Sequence, residues 1–256
     1  MRPRGERFRR RIHLLPHLFT LGNLFAGFFA VSAILTGQLD RAALAIGAGI
    51  LLDGFDGAVA RLIRSSSPMG VQLDSLADVV TFGIAPAMLA YAWGAGGFEG
   101  WEWAAAAHVR RVAWIAAFAL LAACALRLAR FNVMSDEPPR EDLPHGAFIG
   151  MPTPTAAGCV AVVVHLFKTP IEEPALAAAW AAVLFLLAGL MLSRIPFPSP
   201  KRLLTNPPAP HLLLLGAALV LAAVYYYSEI VLTALLGVYL TFVTGFNLRR
   251  RARRAG

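Results

Sequence analysis

Four aspartates in one stretch of the chain are the residues best placed to do chemistry. Asp53 and Asp56 are three residues apart, and Asp74 and Asp78 are four apart. Either spacing puts both side chains of a pair on one face of a helix. If the two helices face each other, four carboxylates converge. Carboxylate oxygens are the ligands that hard divalent cations such as Mg²⁺ and Mn²⁺ prefer.

The rest of the chain has the composition of a membrane protein. Of its 256 residues, 58% are hydrophobic and only 15% are charged, far below the usual quarter of charged residues in a soluble domain. A carboxylate at membrane depth costs about 2.5–3.5 kcal/mol on insertion scales. Neighbouring carboxylates also repel one another unless a cation holds them together. Helix packing would explain the small residues of this stretch, but not its four acids.

Apolar runs long enough to cross a bilayer predict an all-α, polytopic membrane protein with eight transmembrane helices. These runs lie near residues 17–36, 42–62, 75–94, 112–133, 153–168, 174–193, 211–227 and 230–247. We expect a basic N-terminal segment at 1–15, one membrane domain at 16–248 and a basic tail at 249–256. The loops are too short to bury a separate soluble core.

The positions of the basic residues predict the orientation of the protein. With eight helices, 19 of the 23 lysines and arginines fall on the side of the two termini. The four on the other side are Arg41, Arg110, Arg111 and Lys168. Because cytosolic loops are enriched in basic residues, we expect both termini and the aspartates at the cytosolic face of the cell membrane. The basic termini suit anionic headgroups better than nucleic acid, or they serve only to set topology.

The residues around the first pair of acids favour phosphate binding. One helical stripe carries two acids, two small residues and a base: Asp53, Asp56, Gly57, Ala60 and Arg61. Gly57 leaves room beside the backbone, and the planar guanidinium of Arg61 can hold a phosphate through two hydrogen bonds. The segment SSSPMG at 65–70 then predicts a break between two helices.

A second polar group lies at the cytosolic end of the fourth predicted helix. Arg127 and Arg130 are three residues apart there, with Asn132 beside them. Arginines inside a membrane need anionic partners. An amino-acid carboxylate, a lipid phosphate or a phosphorylated acceptor would each serve. The alternative is that both side chains extend to the headgroup region.

The aspartate stretch resembles the signature of the CDP-alcohol phosphotransferase family. The run DGFDGAVAR from residue 53, followed by Gly70, Asp74 and Asp78, fits that signature at every fixed position. The resemblance implies transfer of a substituted phosphoryl group from a CDP-linked donor to an alcohol, with CMP as the leaving group. It further implies a homodimer in which the four aspartates hold two divalent ions, Mn²⁺ or Mg²⁺.

The same resemblance assigns further roles to single residues. Asp78 would also act as the general base. Gly57, Arg61, Ser67 and Gly70 would contact the donor. Asn23, in the TLGN run of the first predicted helix, would lie near the nucleotide end of the donor.

Four other segments look like the integral-membrane phosphatidylserine synthases of the family. They are DSLADVVTFGIAPA at 74–87, LRLARFNV at 126–133, GMPTPTAAG at 150–158 and SRIPFPSPK at 193–201. This likeness implies CDP-diacylglycerol as the donor and L-serine as the acceptor, with Arg127, Arg130 and Asn132 as acceptor-binding residues. Glycerol 3-phosphate or an inositol phosphate is the alternative acceptor.

An ion or metal transporter is the alternative from another class of protein. Transporters place ionisable residues near the middle of the membrane in several helices, commonly in repeat-related halves. Here the acids are confined to one adjacent pair of helices, and the sequence has no internal repeat. The pattern therefore favours an enzyme.

Overall fold

The computed structural model describes residues 4–63, 68–98, 104–135 and 147–198, and five single positions between 230 and 241. The helices of this part of the chain, α1 to α7, lie at Arg4–Leu35, Leu39–Ile63, Pro68–Asp78, Ala85–Ala95, Ala104–Ser135, Thr153–Phe167 and Pro174–Leu192. A π-helical segment, Val79–Ile84, joins α3 to α4, and a 3₁₀ turn at Gly96–Phe98 follows α4. The described residues thus form six helical rods.

Prolines mark the start of several helices. Pro68 opens α3, Pro174 opens α7, and Pro154 lies in the first turn of α6. Proline suits the first helical turn because its missing N–H would have no intrahelical partner there. The predicted break between α2 and α3 is confirmed, since α2 ends at Ile63 and α3 begins at Pro68.

Four described helices are long and apolar enough to cross a membrane. They are His17–Leu35, Met69–Phe98, Ala106–Val133 and Pro174–Leu192, and Thr153–Phe167 is a shorter apolar helix. The first six predicted spans thus all coincide with helices. The predicted spans at 211–227 and 230–247 lie outside the described residues, apart from five helical positions in the second. The total of eight therefore stays a prediction.

A short strand pair is the feature of the fold that the sequence did not predict. Strand β1, Ala147–Ile149, pairs antiparallel with β2, Pro196–Pro198, and Phe148 lies opposite Phe197. Gly150 then turns the chain into α6 with a φ of 77°. A side chain there would meet the carbonyl oxygen of Met191. The pair ties the end of α7 to the start of α6.

The core is built mainly from small side chains. Buried alanines such as Ala30, Ala42, Ala116 and Ala157 line the surfaces where the rods meet. Small residues let helix backbones approach closely, which is how helices associate when lipid removes the hydrophobic drive between them. The helix α2 packs against both α1 and α6, and α5 packs against α7.

One end of the bundle is held together by contacts far from the aspartates. The Nδ1 atom of His165 on α6 lies 2.5 Å from Oδ1 of Asp40 on α2. The indole of Trp93 packs edge-on against Trp180 at 5.0 Å between ring centroids. The amide of Ile171, in the α6–α7 loop, donates to the carbonyl of Trp93 at 2.9 Å. The aspartates lie toward the other end of α2 and of the α3–α4 rod.

Candidate active site

Three of the four aspartates come together at the junction of two helices. Asp53 projects from α2, and Asp74 and Asp78 project from α3. One oxygen of each carboxylate lies within 4.8 Å of the others. Asp78 is buried, whereas Asp53 and Asp74 are half-buried. The facing pair of helices that the spacing predicted is therefore present for these three side chains.

The remaining residues of the predicted donor side lie at the edge of the described structure. Asp56, Gly57 and Arg61 belong to the backbone of α2, but their side chains are not among the described parts of the structure. Ser67 lies outside the described residues. Gly70 lies in the first turns of α3, one turn before Asp74. On the backbone of α2, Asp56 follows Asp53 by three residues.

Asn23 on α1 forms a hydrogen bond with Asp78. Its Nδ2 atom donates a hydrogen bond to Oδ1 of Asp78 at 3.1 Å. Because a carboxylate only accepts hydrogen bonds, this contact fixes which way the amide points. Asn23 is 1% exposed. Its predicted contact with the nucleotide end of the donor stays a prediction.

Thr81, in the π-helical segment, forms a hydrogen bond with the backbone of Asn23. The hydroxyl of Thr81 donates to the backbone carbonyl of Asn23 at 2.8 Å. Thr81 sits between two glycines, since a Cβ on Gly27 would lie 2.5 Å from its Oγ1 and a Cβ on Gly49 2.5 Å from its Cγ2. Only glycine lets α1 and α2 approach the π-helical segment this closely, and that approach brings Asn23 to Asp78.

The helix α5 supplies the polar residues on the opposite wall. The guanidinium of Arg127 lies near enough to Asp78 to interact with its charge. The hydroxyl of Ser75, next to Asp74, donates to Oδ1 of Asn132 at 3.2 Å, and Nδ2 of Asn132 lies 3.0 Å from that hydroxyl. Arg130 is half-buried, three residues beyond Arg127. The structure therefore brings Arg127 and Asn132 to the aspartates of α3.

The described carboxylates suit a divalent cation. The ligands of an octahedral Mg²⁺, bound at about 2.1 Å, lie roughly 3.0–4.2 Å from one another. The spacing of up to 4.8 Å among Asp53, Asp74 and Asp78 is close to this range. All three donors are oxygens, which selects hard cations such as Mg²⁺, Mn²⁺ or Ca²⁺ over softer ones.

Two residues of the site were missed by sequence reasoning. Ser75 binds Asn132, and Thr81 binds the carbonyl of Asn23. Both are polar residues in an apolar run, which in membrane helices marks hydrogen bonding between helices. That signal was present in the sequence. Their partners are 57 and 58 residues away, however, and helical spacing says nothing about contacts at that separation.

Comparison with known proteins places the chain in a family. Residues 13–192 match the CDP-alcohol phosphatidyltransferase family. This region contains all the helices and strands described above except the first turns of α1 and strand β2. The chain therefore belongs to that family. The aspartate cluster, the Asn23 contact and the wall formed by α5 all lie inside the matched region.

Several curated relatives share one name, CDP-diacylglycerol–serine O-phosphatidyltransferase. The protein of that name from Mycobacterium leprae (strain TN) is 33% identical over 248 residues, which cover 91% of this chain and 76% of the relative. The one from Helicobacter pylori (strain ATCC 700392 / 26695) is 33% identical over 196 residues, 76% of each chain. The one from Bacillus subtilis (strain 168) is 33% identical over 191 residues, 75% of this chain and 93% of the relative.

Proposed function

We propose that the protein transfers a phosphatidyl group from CDP-diacylglycerol to the hydroxyl of L-serine, giving phosphatidylserine and CMP. The observation that carries this proposal is the cluster of Asp53, Asp74 and Asp78, whose oxygens lie within 4.8 Å of one another in the family-matched region. The shared name of the curated relatives supports the choice of donor and acceptor.

The aspartates would hold two divalent ions, Mn²⁺ or Mg²⁺. Asp53, Asp74 and Asp78 supply the described ligands, and Asp56 would add a fourth carboxylate from the same face of α2. When bound, the cations would neutralise the pyrophosphate of the donor and stabilise the charge that grows on the departing CMP. In the donor site, Arg61 would contact the phosphates, and Gly57, Ser67 and Gly70 would line their path.

The transfer exchanges one phosphorus–oxygen bond for another. The serine hydroxyl oxygen bonds to the phosphorus that carries the diacylglycerol, the bond from this phosphorus to the bridging oxygen breaks, and CMP leaves. The hydroxyl proton passes to Asp78. Oδ1 of Asp78 accepts the amide hydrogen of Asn23, and the other carboxylate oxygen would take the proton. Asn23 would thus orient Asp78, and its contact with the nucleotide end of the donor stays part of the proposal.

The acceptor would bind against α5. Arg127, Arg130 and Asn132 lie within six residues near the C-terminal end of α5, and Asn132 bonds to Ser75 beside Asp74. Serine with its carboxylate on Arg130 would present its hydroxyl to Asp78, with which Arg127 interacts electrostatically. The pair formed by Ser75 and Asn132 keeps α3 and α5 at a fixed separation.

Substitution of Arg130 tests this acceptor site. In Arg130→Ala we expect the KM for serine to rise about tenfold or more, since an interaction with a charged group contributes about 1.5–3 kcal/mol, while the KM for CDP-diacylglycerol changes little. Arg41→Ala, which removes an exposed arginine at the other end of the bundle, is the matched control. An equal loss on both substrates would place Arg130 with the donor or with folding.

A panel of acceptors tests the reaction itself. Purified protein with CDP-diacylglycerol and Mn²⁺ should release CMP with L-serine. Glycerol 3-phosphate and inositol phosphate should give little or none. Efficient use of either, with serine inert, would assign the alternative acceptor. Movement of a divalent ion across vesicles without CMP release from any alcohol would instead indicate a transporter.

The proposed setting is the cell membrane, with the aspartates and both termini on the cytosolic side. This orientation is supported by the excess of basic residues on that side. It gives the soluble nucleotide and serine access from water while the acyl chains stay in lipid. We also propose a homodimer. Crosslinking in native membranes should then yield a species of twice the monomer mass.

A further inference from the structure

A cleft at the other end of the bundle is separate from the aspartate site. It has a volume of about 530 Å³ and is lined by Tyr91, Ala107, Arg110, Arg111, Trp114 and Ile115. The helical rise puts Tyr91 roughly 20 Å along the rod from Asp78. With these helices spanning the membrane as proposed, the cleft would lie in the leaflet opposite to the aspartates, at the boundary between membrane and water.

The wall of the cleft carries positive charge. Nη1 of Arg110 donates to the carbonyl oxygen of Phe98 at 2.8 Å, which fixes this side chain against the 3₁₀ turn. The next residue, Arg111, is exposed. None of the six lining residues is acidic. Two guanidinium groups at a lipid boundary favour a phosphate, which matches their planar array of donors.

An apolar stripe continues from the cleft along α5 toward the middle of the membrane. Trp114 is 58% exposed, Ile115 50% and Phe118 55%. The rings of Trp114 and Phe118 stack, with centroids 5.6 Å apart and planes 4° from parallel. Arginines, then amphipathic aromatic rings, then apolar side chains follow the order of headgroup, interface and acyl chain in a lipid leaflet.

We propose that this cleft binds a membrane phospholipid, with its phosphate between Arg110 and Arg111 and its acyl chains on Trp114, Ile115 and Phe118. The site is independent of the proposed transfer reaction, since its residues are remote from the aspartates and lie in the opposite leaflet. We assign the phosphate to a lipid rather than to a free anion, because the two arginines and the apolar stripe follow one another on α5.

Lipid titration of the purified full-length protein in detergent tests the proposal. Added phosphatidylglycerol should raise the Tm saturably, and inorganic phosphate at equal concentration should not. In Arg111→Gln, whose side chain is exposed, the apparent Kd should rise about tenfold or more. Trp114→Ala should also weaken the effect, and Arg41→Gln should leave it unchanged.

Other outcomes would overturn the site. An equal effect of inorganic phosphate would show a free-anion site, and an unchanged Kd in Arg111→Gln would place the lipid elsewhere. A change of oligomeric state in Trp114→Ala without a change in lipid affinity would assign the stripe to a second copy of the chain. CMP release by Arg111→Gln should remain at the wild-type rate, so failure of the lipid site is distinguishable from failure of the proposed reaction.

Discussion

At Asp78, residues of four helices act on one carboxylate. The amide of Asn23 on α1 donates to it, Asp53 on α2 and Asp74 on α3 bring two more carboxylates near it, and Arg127 on α5 interacts with its charge. The hydrogen bond from Asn23 orients the Asp78 carboxylate, as a general base requires. The side-chain amide of Asn23 bonds to Asp78, so Asp78 is the residue whose role should differ from those of the other aspartates.

Asparagine substitutions separate Asp78 from Asp53. In Asp78→Asn we expect turnover to fall by about 10²–10⁴-fold, the usual cost of losing a general base, with CDP-diacylglycerol binding better preserved than in Asp53→Asn. The serine hydroxyl is a weak nucleophile at neutral pH, so little background rate would mask this loss. Donor binding and CMP release are measured side by side in both variants. Near-normal turnover in Asp78→Asn would show that Asp78 is not the general base. A parallel loss of donor binding and turnover in Asp78→Asn and Asp53→Asn would show the same.

Two substitutions of Asn23 separate hydrogen bonding from packing. Asn23→Ala should lower kcat by about 10–100-fold, the usual cost of losing an orienting contact, with a smaller change in the KM for the donor. Asn23→Leu nearly keeps the shape of the side chain but removes the hydrogen-bond donor. If the hydrogen bond matters, Leu is about as harmful as Ala. If Asn23 only fills space, kcat in Asn23→Leu stays near that of the wild type.

At the scale of elements, the π-helical segment determines how closely α1, α2 and α3 pack at the aspartates. It begins directly after Asp78, and its Thr81 fills the space left by Gly27 and Gly49. π-Helical turns are rare and frequently occur at functional sites. Here the wider turn presents Thr81 to α1 and α2 and so fixes how far α3 lies from Asn23.

A pair of glycines on one helix tests this close packing. In Gly49→Ala the added methyl group would meet Thr81 and Asn23, and overpacking of this kind costs about 1–3 kcal/mol. Gly47→Ala is the control, because a Cβ there meets nothing within 4 Å. Alanine also favours a helix over glycine by up to about 1 kcal/mol. We expect a lower Tm and lower kcat for Gly49→Ala only. Equal behaviour of the two variants would contradict the close approach at Thr81.

Local patterns predicted the helices and the aspartates, because both depend on spacing along one helix. The four aspartates and the break near Pro68 were readable from periodicity and turn residues. The contact of Asn23 with Asp78 joins residues 55 apart, and the choice between helical hydrogen-bonding patterns at Val79–Ile84 depends on packing. The strand pair depends on the return of α7 toward α6. These features follow from tertiary contacts, which hydrophobic periodicity does not encode.

At the scale of the whole molecule, the contacts divide the bundle into two ends with different tasks. One end holds the aspartates. The other holds the pair of Asp40 and His165, the contact between Ile171 and Trp93, and the lipid cleft. The proposed orientation puts the first end in the cytosol, where nucleotide and serine are dissolved.

Single added cysteines test this orientation. Cys124 and Cys159 are buried, so cysteines placed at exposed positions report access without their interference. We expect Thr36→Cys and Thr169→Cys to react with a membrane-impermeant maleimide in intact cells, and Arg194→Cys to react only after the membrane is opened. The reverse pattern would place the aspartates outside, and reaction of all three in intact cells would contradict a membrane-spanning bundle.

Metal dependence of CMP release tests the central claim most directly, because the claim is a transfer that depends on the aspartate cluster. Purified protein with CDP-diacylglycerol and L-serine should lose activity in EDTA, and Mn²⁺ or Mg²⁺ should restore it, as all-oxygen ligation implies. Asp74→Asn should need a higher metal concentration for half-maximal activity. The Arg41→Ala control should need the same concentration as the wild type. Full activity in metal-free buffer, or an unchanged metal requirement in Asp74→Asn, would contradict the account.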